Sequence, residues 1–158
     1  MSDMLVKLYE LKEDIPELNI LKEKNVRILR ALSPDKFRVL EFIEKAFGKG
    51  WASECDVAFS NKPVSCYIAV KEKKVIGFAC YDATAPDFFG PMGVEESERK
   101  LGIGKVLLLK CLLAMKAKGY AYAIIGGAAV PDWYNKICGA TIIEGSEPGI
   151  YKDMVEGE

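Results

Sequence analysis

Eight consecutive residues, Glu98-Arg99-Lys100-Leu101-Gly102-Ile103-Gly104-Lys105, place three cations and two glycines directly ahead of a long apolar run. If a helix begins there, its first backbone N–H groups have no intrahelical acceptor and its end carries partial positive charge. Glycine lets a ligand approach that backbone without a Cβ in the way. Cations at the same end cost about 0.3–1 kcal/mol each unless an anion joins them. The chemistry this spacing suits is the grip of a phosphate or pyrophosphate.

Two familiar phosphate loops do not fit. A P-loop needs glycine, four residues and then a Gly-Lys-Ser/Thr triplet. Here Gly104-Lys105 is followed by Val106, and Arg99 stands at the upstream glycine position. A dinucleotide fingerprint needs a third glycine, and Leu107 occupies its place. The chain contains no histidine, so a Ser-His-Asp triad, a histidine base and a histidine metal ligand are all excluded. The cysteines, Cys55, Cys66, Cys80, Cys111 and Cys138, form no C-x-x-C pair and stand among apolar or small neighbours. They read as reduced, buried thiols, and their scatter argues against a zinc site, so no metal is expected.

These residues sit in a chain of 158 that suits one domain, with half its residues hydrophobic. Basic and acidic residues number 22 and 23, for a net charge of −1. No basic excess points to nucleic acid. The N-terminus lacks a clean apolar signal core, and no run is long enough to span a bilayer; the expected compartment is the cytoplasm.

Hydrophobic period and turn residues give the elements. Residues 4–11 alternate loosely as a strand, 13–24 are ambiguous, and 26–32 read as a strand. Ser33-Pro34-Asp35 opens a helix that Gly48-Lys49-Gly50 stops, and a second short helix lies within 51–60. Residues 64–70 and 74–83 form a hairpin about a turn at Lys71-Glu72-Lys73. Phe88–Val94 is a strand, 101–118 a long helix closed by Gly119, and 120–125 a strand. A short helix over 131–137 and a strand over 140–144 follow, with one more strand possible in the tail. The expected fold class is α/β: one mixed β-sheet flanked by helices, with a β-α-β unit late in the chain.

The pattern Arg-x-x-Gly-x-Gly at Arg99, Gly102 and Gly104, after a strand and before an apolar helix, resembles the signature of the GCN5-related N-acetyltransferase (GNAT) superfamily. The likeness extends more weakly over 26–143 through the order of elements. It implies the GNAT, or acyl-CoA N-acyltransferase, fold over 26–158, with residues 1–25 as an N-terminal extension packed on that domain. It implies acetyl-CoA as co-substrate, with its pyrophosphate on the amides of Lys100, Leu101, Gly102, Ile103, Gly104 and Lys105 beside Arg99. Its pantetheine would lie between splayed strands at Met92-Gly93-Val94 and 122–126, with an N–H near Val94 facing the thioester carbonyl. Tyr134 matches the family's tyrosine, which returns a proton to the departing thiolate. Gly139 comes one residue later than in the common form, Ala140 replaces a phenylalanine, and Gly127 stands where an asparagine is usual. Glu54, Tyr81 and Asp82 are candidates for binding the acceptor or taking its proton.

The expected function is an N-acetyltransferase acting on the primary amine of a small molecule by direct attack. A CoA-binding regulatory or sensor domain without catalysis is the alternative, and a pure interaction domain a third. A homodimer is expected from family habit alone.

Overall fold

The computed structural model describes residues 1–155. The strands are β1 (Met4–Lys7), β2 (Val26–Arg30), β3 (Cys66–Lys71), β4 (Lys74–Tyr81), β5 (Phe88–Val94), β6 (Tyr122–Ile125) and β7 (Thr141–Ile142). The helices are α1 (Glu17–Glu23), α2 (Lys36–Phe47), α3 (Lys49–Ser60), α4 (Ile103–Lys118) and α5 (Pro131–Cys138). The strands form one mixed sheet in the order β2-β3-β4-β5-β6-β1-β7. Every neighbouring pair is antiparallel except β5 and β6, which run parallel across the α4 crossover.

The sheet separates two apolar layers. Period-two alternation sends Ala69 of β3 and Ala79 and Tyr81 of β4 to the face covered by α4, where Leu107, Leu108, Leu112 and Met115 are buried. The residues between them, Cys66, Ile68, Phe78 and Cys80, pack under α2 and α3 on the opposite face. The α4 helix is buried on most of its circumference because it lies across β3, β4 and β5.

The hairpin expected at Lys71-Glu72-Lys73 is present. Glu72 and Lys73 take φ of 52° and 64°, the left-handed pair that matches the twist of a two-residue hairpin. The first strand stops at Lys7 and gives way to a 3-10 turn at Leu8–Glu10. Ser33–Asp35 is likewise a 3-10 turn, and no side-chain cap forms there. The tail supplies a 3-10 turn, Gly149–Tyr151, where a strand was a possibility.

Residues 1–25 do more than cover the domain. The Met4–Lys7 strand lies inside the sheet, paired with β6 along its length and with β7 at Met4 and Leu5. Met4 and Val6 are buried in the α4-side core. The short β7 thus joins the sheet through the chain's first strand rather than through β6.

Candidate active site at the split between β5 and β6

Parallel pairing of β5 with β6 covers only Phe88–Ile124 and Phe89–Ile125. The Gly126 N–H to Phe89 carbonyl contact, at 3.4 Å, is the last link. Gly90 then takes φ of +119°, a conformation suited to glycine, and β5 turns away from its neighbour. Met92, Gly93 and Val94 remain paired with Ala79, Phe78 and Gly77 of β4. Glu95 N–H donates to Ile76 carbonyl at 2.8 Å. Antiparallel alternation from that bond turns Gly93 toward β4 and leaves the amides of Met92 and Val94 facing the gap. Val94 N–H is therefore a backbone donor turned toward the gap.

The loop from β5 to α4 closes one end of this gap. Lys100 and Gly102 adopt left-handed φ of 76° and 85°. The first bond of α4 runs from Val106 N–H to Gly102 carbonyl at 3.2 Å. The amides of Gly102, Ile103, Gly104 and Lys105 precede it and point out of the helix end. A Cβ on Gly104 would stand 3.8 Å from the Trp133 ring and 3.9 Å from Val94 Cγ2, so its hydrogen faces space between them.

That space is a cavity of about 530 Å³. It is lined by Met92, Gly93, Val94, Arg99, Lys100, Gly102, Ile103, Gly104 and Lys105. Of the residues expected to hold the cofactor, only Leu101 is missing from the lining; it packs against the α4-side core. Glu98, Val130 and Trp133 complete the walls, and sequence reasoning did not assign them. The signal for Trp133 was its place next to Tyr134: one helical residue apart is a 100° turn, so only one of the two rings can face the cavity.

The charges at the mouth are partly engaged. Lys105 Nζ lies 2.5 Å from a Glu17 carboxylate oxygen on α1, and that bond holds the Glu17 carboxyl below its usual range. Lys71 pairs with Glu98 at 3.3 Å. Arg99 Nε donates to Val94 carbonyl at 3.2 Å, which fixes the loop against the strand and leaves Val94 N–H unused.

Tyr134 does not line the cavity. Its ring is 9% exposed within the α4-side core and stands edge-on to Trp133, with centroids 5.1 Å apart. Burial pushes its phenol up to about 12. The other candidates also lie off the cavity. Tyr81 is buried, and its hydroxyl accepts from Arg30 at 2.8 Å. Asp82 accepts from Lys118 at 2.6 Å, from Asp87 N–H at 2.7 Å and from the Tyr120 hydroxyl at 3.0 Å. Its carboxylate ties the β4–β5 corner to the end of α4. Glu54 accepts from the Thr84 hydroxyl at 2.5 Å and has no ion-pair partner among the described residues. It lies on α3, which packs on β5 from the face opposite α4.

Comparison with known proteins agrees with this geometry. Residues 27–139 match the model of the acetyltransferase (GNAT) family, and the chain belongs to that family. A GCN5-related glucosamine N-acetyltransferase region of a fungal multidomain β-N-acetylglucosaminidase superposes with a TM-score of 0.73 at 13% identity, over 90% of this chain and 19% of that one. A GCN5-related N-acetyltransferase from Sphaerobacter thermophilus gives 0.69 at 18% identity, over 90% and 48%. A GNAT family acetyltransferase from Brucella melitensis, solved with acetyl-CoA, gives 0.57 at 17% identity, over 70% and 80%. The chain thus spans about a fifth and about half of the first two structures. A search of curated proteins found no match. Among the described residues no helix is long and apolar enough to cross a membrane.

Proposed function

We propose that this acetyltransferase transfers the acetyl group of acetyl-CoA to the primary amine of a small molecule by direct attack. The observation that carries the reading is the cavity that joins the free amides of the α4 end to the Val94 N–H. An anion-binding loop and a donor aimed into the β5–β6 gap share one space. The group fits the residues: the Gly102–Lys105 amides and Arg99 suit a pyrophosphate, and the Met92 and Val94 amides suit an amide-bearing arm lying along β5. Acetyl-CoA supplies an acyl group already activated as a thioester.

The chain's own residues then have these tasks. Val94 N–H meets the negative charge that develops on the acyl oxygen, a contribution worth about 3–4 kcal/mol where such donors have been removed in other enzymes. Trp133 covers the cavity and excludes water. Glu54, half-buried and without a cation, attracts the ammonium from the α3 side; at pH 7 well below ~1% of an alkyl amine is free base, so a proton must leave. To steady the departing thiolate, the Tyr134 hydroxyl must come out of the core to a cavity whose wall it does not line. With its pKa about 12 against ~8.5 for a free thiol, that phenol donates a hydrogen bond more readily than it surrenders a proton.

Steady-state release of free CoA with a panel of small amines tests the proposal. Turnover with at least one amine, reduced ~10-fold or more in Tyr134→Phe, supports it. Binding of acetyl-CoA without turnover would favour the second reading, a CoA-binding domain without catalysis. The placement of Tyr134 in the core instead of on the cavity wall is the observation on that side. A failure to bind acetyl-CoA sinks both.

A further inference from the structure

Cysteines that lie far apart in the sequence meet in the fold. Cys55 comes from α3, Cys66 from the first position of β3 and Cys80 from β4, where Cys66 and Cys80 are direct cross-strand partners. Their sulfur atoms all lie within 4.8 Å of one another, and Cys55 Sγ and Cys66 Sγ are 3.7 Å apart. All three residues are 0% exposed. The scatter of the cysteines in sequence does not carry into the fold: a hairpin and the helix packed on it bring three of the five together.

The spacing has chemical content. A cation bound to thiolates at ~2.3 Å sets its sulfurs ~3.8–4.0 Å apart, whether the site is tetrahedral or trigonal. The cluster needs small shifts to reach that figure. No fourth ligand of the cysteine, histidine or carboxylate type joins the group among the described residues. Asp56, the nearest acid in sequence, is half-exposed and pairs with Lys36 at 2.6 Å. Apolar neighbours, Val39, Ile43, Ala58 and Phe78 among them, fill the same layer and keep water out. A zinc ion would lack its fourth partner there. Three soft donors in a dry, apolar layer suit a monovalent soft cation.

We propose that Cys55, Cys66 and Cys80 form a trigonal binding site for copper(I). Cys55 Sγ donates to Cys66 Sγ at 3.7 Å, so these sulfurs already face one another. Binding replaces the proton of one of the three thiols, which leaves to solvent, so one thiolate balances one positive charge. Each further proton lost adds a buried negative charge and is opposed by the apolar layer.

The test uses the full chain, reduced and kept free of oxygen, titrated with copper(I) against a coloured chelator. One copper withheld per chain, with a sulfur-to-copper charge-transfer band in the ultraviolet, is the expected result. Cys55→Ala and Cys66→Ser should each lose more than ~100-fold in affinity, beyond the loss typical for outer-sphere changes. Cys111→Ser, an equally buried thiol in the opposite layer, should retain one copper and controls for a loosened core. Should Cys66→Ser fail to fold, Cys55→Ala on the helix surface of the cluster carries the test. Copper left with the chelator by the wild type, or withheld equally by Cys55→Ala, overturns the proposal.

Discussion

Two polar regions flank the same helix and have opposite characters. At the start of α4, the amides of Gly102–Lys105 and of Val94 have no acceptor among the described residues, and cations gather round them. At its end, Asp82 accepts from a lysine, a tyrosine and a backbone amide, so that carboxylate is saturated. The difference separates binding from holding: donors left open at a cavity wait for a ligand, and donors closed on one another brace the fold. Tyr81 and Asp82 read as acceptor-site candidates in sequence; their partners place them in the bracing set.

Charge reversal at the open end should give the largest effect. Arg99→Glu with Lys105→Glu is expected to weaken CoA binding by more than ~100-fold, since each charge-assisted bond contributes about 1.5–3 kcal/mol. Isothermal titration reads this directly. The melting temperature should barely move, because Arg99 is exposed and Lys105 about 39% exposed. The converse holds at the closed end. Asp82→Ala should destabilise by about 2 kcal/mol, because its carboxylate is 8% exposed and three donors lose their acceptor. CoA affinity in that variant should stay within ~2-fold. A large loss of binding in Asp82→Ala would break the distinction between the two regions.

The same distinction marks what the sequence could show. Phe88–Val94 and the glycine loop were legible because their signals are local: an apolar run, a helix start and cations at fixed offsets. The hairpin was legible for the same reason. The place of Met4–Lys7 was not, since its partners lie more than a hundred residues away and a strand's pattern does not name its neighbours. The family match, which begins at residue 27, does not reach it either. Burial of Tyr134 instead of Trp133 was also hidden. Adjacent aromatics on a short helix leave the choice to tertiary packing, here to the space beside Gly104. The cysteine cluster depends on both: a register between β3 and β4 and the docking of α3.

Glu17 offers a finer probe of the open end. Its carboxylate holds Lys105, so a phosphate must share that cation or displace the acid. Glu17→Gln should tighten CoA binding by about 2–5-fold at low ionic strength, with the gain shrinking in high salt as exposed charges are screened. An unchanged or weaker affinity would mean that Lys105 serves α1 instead of the ligand.

The smallest effect belongs to the one unsatisfied atom of the closed end. Asp87 Oδ1 is buried without a partner among the described residues, and burial, reinforced by the neighbouring Asp82 carboxylate, raises its carboxyl from 3.8 to about 6. The folded chain therefore holds a proton between about pH 4 and 6 that the unfolded chain has released. By linkage, this group's contribution to stability falls as pH rises through that window and is absent above it. Asp87→Asn removes the titration. Its melting temperature should exceed that of the wild type by ~2 °C at pH 7.5, and the difference should shrink toward zero near pH 4. A difference that grows on acidification would mean that Asp87 is held as a carboxylate after all, and that the closed end has a donor for it.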